Sequence, residues 1–399
     1  MIADTTCTRC LLPARALNIR FDKRGVCNHC SAYVDHASTL RDFQRMERLY
    51  LRRLAAVRGR HAYDALVGLS GGKDSSYVAY RLVREQGAKV LLYTYDNGFL
   101  SEHARDNVER VAKALGQDHV WCRPSAGLHR AVYRTSIRLF GIPCVGCTFP
   151  GYLRAISLAI ERGIPLIVHG RSRAQMFKQL APGMSDPFFR YLAGNFESPD
   201  TERNRAFMLD TAASLWRGLR LFAPGRALRQ ELKETYAPDL AKLRVMADPP
   251  EILAHFLFEP YDELRFQAIL EGELGWEPPP RGDFMGHEDC RAHPVAAYLY
   301  TNNYGFPMLQ QELSTLIREG DITRDEALER LALEADAWTL SAPSMATLEG
   351  VTGFDAETIL RLSNRTSRLM TCFRWWLRTR NAMLGRSPLP IPSSDQAQG

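Results

Sequence analysis

The stretch LVGLSGGKDSSYV at positions 66–78 passes from apolar and small residues into two glycines, a lysine, an aspartate and two serines. A strand, then Ser70-Gly71-Gly72-Lys73-Asp74-Ser75, then a helix is the layout of an anion cradle. Glycines let the backbone approach phosphate oxygens with no Cβ in the way. The first N–H groups of the helix and its dipole favour negative charge. Lys73 adds a full positive charge, and Ser70 and Ser75 add hydroxyls. The spacing is neither a Walker A loop nor G-x-G-x-x-G. A plain glycine turn between strand and helix would leave the lysine, aspartate and serines without a purpose.

The cysteines form two further groups. Cys7, Cys10, Cys27 and Cys30 make two C-x-x-C pairs separated by sixteen residues, which is zinc-ribbon spacing. Four thiolates close a tetrahedral metal site, which is structural rather than catalytic. His29 could replace one ligand but ranks below the cysteines. Cys144 and Cys147 form a third pair, and Cys290 lies in EDCRAH, near His287, Glu288, Asp289 and His293. A pair plus one distant cysteine is the ligand count of a three-cysteine [4Fe-4S] cluster with one iron open. A persulfide with a resolving thiol, or a zinc site using His287 or His293, would use the same residues. Small buried core cysteines are the plainer alternative. Cys122 and Cys372 look like that core type.

Strands are expected at YDALVGLS, KVLLYTYD, HVWCRP and PLIVHG, alternating with helices at SSYVAYRLVREQG, SEHARDNVERVAKALG and GYLRAISLAIERG. Alternation of this kind predicts an α/β fold, a doubly wound parallel sheet covered on both faces. Continuous apolar strands agree, because parallel strands are buried on both sides. Ser101 and Gly116 are the expected ends of the second helix. The chain divides into a zinc-ribbon segment at 1–35 and a connecting helix at 36–60. An α/β domain is expected at 61–175, then a mainly helical region at 176–385 that would shape the choice of substrate, and a disordered tail at 386–399. Thr323 and Glu326 read as a capping box. Asp96 and Asn97 follow the second strand, and Gly170 and Arg171 the fourth. Ligands of open α/β sheets bind at such carboxyl ends.

A net charge of +6 permits an anionic ligand or RNA without demanding either. No apolar run is long enough to span a membrane, and the first residues lack a signal-peptide pattern. A cytoplasmic location and no membrane partner are therefore expected. The run NRTSRLMTCFRWWLRTR at 364–380 interleaves arginines with tryptophans. It could contact RNA, but a packed helix with solvated arginines is the expected reading.

SGGKDS resembles the signature of the PP-loop ATP pyrophosphatases, an adenine nucleotide alpha-hydrolase-like, HUP-like group, over about residues 61–175. The resemblance implies that Ser70, Gly71, Gly72, Lys73, Asp74 and Ser75 hold the pyrophosphate end of ATP, with Mg2+ nearby, and that the substrate oxygen is adenylated. Asp96, Gly170 and Arg171 would then face adenosine or substrate. The N-terminal cysteine pairs with IRFDKRGVCNHC, and the stretch YLYTNNYGFPMLQQELSTLIREGDITRDEALERL, resemble the N-acetyl sugar amidotransferase family. Such enzymes serve surface polysaccharide sugar synthesis and need ammonia, here from a separate glutaminase. Cys144, Cys147 and Cys290 are instead similar to the cysteine set of PP-loop tRNA thiolation enzymes. The expectation is a sulfurtransferase with Lys73, Asp74 and the three cysteines as catalytic residues. It would act on a small-molecule or tRNA acceptor, take sulfur from a donor protein, and use ATP, Mg2+, Zn2+ and, where the three cysteines hold one, a [4Fe-4S] cluster. A homodimer is the common oligomeric case. A nucleotide-binding module without catalysis is the non-enzymatic alternative.

Overall fold

The computed structural model describes residues 5–16, 19–178, 200–222, 225–279, 289–335 and 340–366. His287, Glu288, Cys372, most of the 364–380 run and the expected tail at 386–399 lie outside these residues.

Five strands form one all-parallel sheet: β1 (Ala65–Gly68), β2 (Val90–Tyr95), β3 (Asp118–Cys122), β4 (Leu166–His169) and β5 (Glu251–Ala254). Their order is β3-β2-β1-β4-β5, so the chain reverses direction between β1 and β4. Alternation along β1 explains the two layers. Ala65, Val67 and Leu69 pack with α2 (Phe43–Val57), α3 (Lys73–Tyr80), α4 (Glu102–Leu115) and the helix Glu263–Leu274. Leu66 points to the other face, against α6 (Cys144–Arg162) and the helix Thr201–Leu219. No described helix is long and apolar enough to cross a membrane.

The local signals at helix ends hold. The Ser101 side chain accepts from the Ala104 N–H, and Gly116 ends α4 at φ 62°. Thr323 N–H donates to Glu326, whose own N–H returns to Thr323 Oγ1 at 3.2 Å, which is the expected capping box.

Three features depart from the sequence expectation. β5 comes from the stretch expected to be mainly helical. It is four residues long, between Pro250 and a 3-10 turn, His255–Leu257, and so too short to show a period. The helix expected through the connecting segment is two helices, α1 (Asn28–Leu40) and α2, with Asp42 capping the second at Arg45 N–H. The N-terminal cysteine segment also docks on helices far along the chain, which no local pattern announces. Leu11 N–H donates to Ser314 Oγ at 3.2 Å and Gln310 Nε2 donates to Leu11 O at 2.6 Å. Arg324 donates to Cys7 O at 2.9 Å. The helices Met308–Glu319 and Arg324–Ala335 therefore carry the ribbon, some 300 residues along the chain.

A buried polar network ties β5 to the sheet's helical cover. Tyr77 donates to Glu259 at 2.6 Å, Arg81 at 2.8 Å, and His255 Nε2 lies 3.0 Å from the same carboxylate. Burial raises the Glu259 carboxyl, but the hydrogen bonds from His255, Tyr77 and Arg81 outweigh it and hold it at about 2. A carboxylate lowered on folding stabilises the native state above its unfolded value and loses that contribution as the pH falls through its folded value. Stability should therefore drop between roughly pH 4.5 and pH 2. Thermal melts of Glu259→Gln across this range should show a lower melting temperature at neutral pH and a flatter acid limb.

Candidate functional site

The loop after β1 is built by its own serines. Ser70 N–H donates to Ser75 Oγ at 3.0 Å, and Ser75 Oγ lies 3.1 Å from both Ser70 Oγ and Gly72 O. Gly71 sits at φ +84°, and a Cβ there would overlap the carbonyl of Ala104 in α4. Only glycine meets both demands. Lys73 opens α3 with its Nζ 3.2 Å from Glu263 and 3.8 Å from Asp74, and Tyr261 donates to Asp74 at 2.7 Å. Across the reversal point, a Cβ on Gly170 would lie 2.8 Å from Asp74 O. The chain leaving β4 thus packs backbone to backbone against the first turn of α3, at the side of the sheet where ligands of open α/β folds bind.

A cavity of about 910 Å3 opens at this crevice, which is a size that takes small-molecule ligands. Ser70, Gly72, Lys73, Asp74, Ser75, Gly170 and Arg171 line it. The Arg171 guanidinium lies over the Tyr152 ring, 4.9 Å from its centroid. Burial, with Arg171 beside it, pushes His169 down to about 3 and leaves it neutral. Asp96 is not on the wall. Arg105 holds it at 2.7 Å and Arg123 stands 3.8 Å away. Its neighbour Asn97 faces the cavity instead.

Cys144, Cys147 and Cys290 line the same cavity. Cys144 and Cys147 occupy the first turn of α6 rather than a loop, because Pro143 stops the preceding chain and opens the helix. Cys290 arrives from far along the sequence. Its segment lies antiparallel to the loop after β2: Arg291 N–H donates to Phe99 O at 2.8 Å and Ser101 N–H to Asp289 O at 3.1 Å. That loop also reaches the pair. Phe99 N–H fixes Asn97 Oδ1 at 2.8 Å, which turns Asn97 Nδ2 toward Cys147 Sγ at 3.3 Å. Tyr133, fully buried beside the thiols, donates to Asn97 O at 2.7 Å. Burial pushes both Cys147 and Cys290 upward, and for Cys147 the Asn97 hydrogen bond works the other way.

The four N-terminal cysteines form a separate centre. Their sulfurs all lie within 4.8 Å of one another, all are buried, and none is in a disulfide. Cys7–Cys30 and Cys10–Cys27 are 3.9 and 3.8 Å apart. A metal about 2.3 Å from four tetrahedral thiolates sets their spacing at about 3.8 Å, so the group could hold a metal ion such as zinc. Hydrogen bonds from Cys10, Cys27 and Cys30 hold the Cys7 thiol far below its ordinary value, and those from Cys27 and Cys30 lower Cys10 to about 6. Backbone N–H groups of Cys10 and Cys27 also point at Cys7 Sγ, and Arg318 reaches Cys10 Sγ at 3.7 Å. His29 is no ligand in this arrangement; it faces the cavity, and burial lowers it to about 4.

Sequence reasoning missed Glu263 and Tyr261 against Lys73 and Asp74, and Arg318 between ribbon and cavity. No local spacing marks such distant partners. No protein-family model matches the chain, and no curated protein matches its sequence. The functional reading therefore rests on the geometry of the cavity and on the chemistry of its lining.

Proposed function

We propose that the chain is an ATP-dependent, AMP-forming sulfurtransferase of PP-loop type. One observation carries the reading: the glycine–lysine loop, the Cys144–Cys147 pair and the distant Cys290 line one cavity. In this reading Ser70, Gly72, Lys73 and Ser75 bind the β and γ phosphates of ATP. Asp74 is the carboxylate that would hold Mg2+, and Arg171 faces the α phosphate or the acceptor. A carbonyl-type oxygen of the acceptor attacks the α phosphate, and pyrophosphate leaves. A sulfur nucleophile then adds to the activated carbon, and AMP departs with the original oxygen. The acceptor is a small molecule or a tRNA base, and the sulfur comes from a donor protein.

Cys144, Cys147 and Cys290 supply the sulfur side. Three half-buried thiols line the cavity, with an amide donor at one of them, and three thiols are the donor count of a three-cysteine [4Fe-4S] cluster. Bound there, such a cluster would present one open iron to carry sulfide. Ammonia transfer has no chemical need for these thiols.

Metal and acid-labile sulfide analysis of anaerobically purified protein tests the reading, together with pyrophosphate release in the presence of sulfide or ammonia. The expected result is about one zinc and about four irons per chain. Cys290→Ala should lose the iron, keep the zinc and lose sulfide-dependent turnover. Zinc without iron would leave the persulfide route. Turnover with ammonia but not sulfide would overturn the sulfur reading in favour of an amidotransferase fed by a glutaminase.

A further inference from the structure

We propose that the part of the cavity between the ribbon and the end of the helix His293–Tyr304 is the acceptor site, and that its ligand is a small planar ring compound bearing a carbonyl or carboxylate. This rests on the adenylation reading above and extends it to the substrate class. The nucleotide loop occupies one side of the cavity. The wall on the ribbon side brings together Leu12, Tyr300, Tyr304, Phe306 and Met308. Tyr300 and Tyr304 stack with centroids 4.4 Å apart, and Phe306 meets Tyr300 edge-on at 5.9 Å. Aromatic walls of this kind favour a flat apolar partner.

The polar groups on this wall are the Tyr300 and Tyr304 hydroxyls, His29, Gln311 and Arg318. Gln311 donates to the Tyr300 hydroxyl at 2.8 Å, and Arg318 to Thr315 Oγ1 at 2.7 Å. Both side chains are thus held in place, and they can orient one or two polar atoms of a ligand. The lining of the cavity is more apolar than polar, so a ring compound with one or two polar atoms buries less unmatched polarity there than a hexosamine with several hydroxyls. Leu12, Phe306 and Arg318 are only 6%, 4% and 7% exposed, while Tyr300, Tyr304, Met308 and Gln311 are half-buried, so the wall forms a recess that takes a small molecule whole.

Equilibrium dialysis of the full chain without ATP tests this, with benzoate and uracil as ring probes, N-acetylglucosamine as the sugar probe, and bulk tRNA. A ring probe should bind saturably. Met308→Trp, which fills the space, and Tyr300→Ala, which removes the stack, should each weaken it by about tenfold or more. A non-hydrolysable ATP analogue should still bind both variants, which reports that they are folded. The inference is overturned if neither ring probe binds the wild type, or if the sugar or tRNA binds and Met308→Trp removes that binding. Ring binding without binding of the ATP analogue would keep the acceptor site and count against the adenylation reading alone.

Discussion

Lys73→Ala should reduce ATP-dependent pyrophosphate release by at least about 100-fold, the scale of losing a preorganised charge that meets a developing anion. The melting temperature should move by less than about 4 °C. The two effects separate because of what Lys73 touches. Its Nζ pairs with Glu263, whose side chain is 59% exposed, and stands 3.8 Å from Asp74. Such a pair contributes about 0–1 kcal/mol, and water replaces the lost partner. Serine bonds and the Gly71 turn hold the loop itself, and none of them uses the lysine. A continuous pyrophosphate assay and a thermal melt on the same preparation decide the matter. Unchanged turnover would remove Lys73 from phosphate binding and the PP-loop assignment with it.

What the sequence made legible was local. Two glycines and two serines between an apolar run and a helical one mark a tight strand-to-helix turn, and the turn is there, with Gly71 at φ +84° and Ser75 bonded to Ser70 and Gly72. The C-x-x-C pairs carry their spacing with them, and the caps at Ser101, Gly116 and Thr323 follow from single hydrogen bonds within a few residues. The misses are long-range or short-period. β5 has four residues, fewer than a periodic pattern needs. The docking of Leu11 on Ser314 joins residues 303 positions apart. Asp96 reads as a ligand-facing acid because it ends a strand, yet Arg105, in the helix that follows, holds it in an ion pair. Asn97, one residue later, has the cavity. A shift of one residue at a strand end reverses the side on which a side chain lies, and composition does not resolve it.

The second large effect is expected at Glu319, far from the loop in sequence. Arg173 follows Arg171 by two residues, and its guanidinium makes two 2.7 Å bonds to Glu319 on the helix that carries the ribbon. Tyr33 adds a third bond to the same carboxylate at 3.1 Å. The two charged side chains are 5% and 1% exposed. Glu319→Ala leaves a guanidinium buried without its counter-charge, and breaking a buried pair from one side costs roughly 3–5 kcal/mol. Denaturant melts should show that loss. The clamp also joins the end of β4 to the ribbon wall, so ATP binding should weaken in the fraction that stays folded. Replacing both partners, Arg173→Met with Glu319→Leu, removes both charges at once and should recover most of the stability, because apolar groups of similar volume can stand in for a buried ion pair. A double variant as unstable as the single one would mean that shape at this junction, not charge balance, holds the ribbon to the sheet.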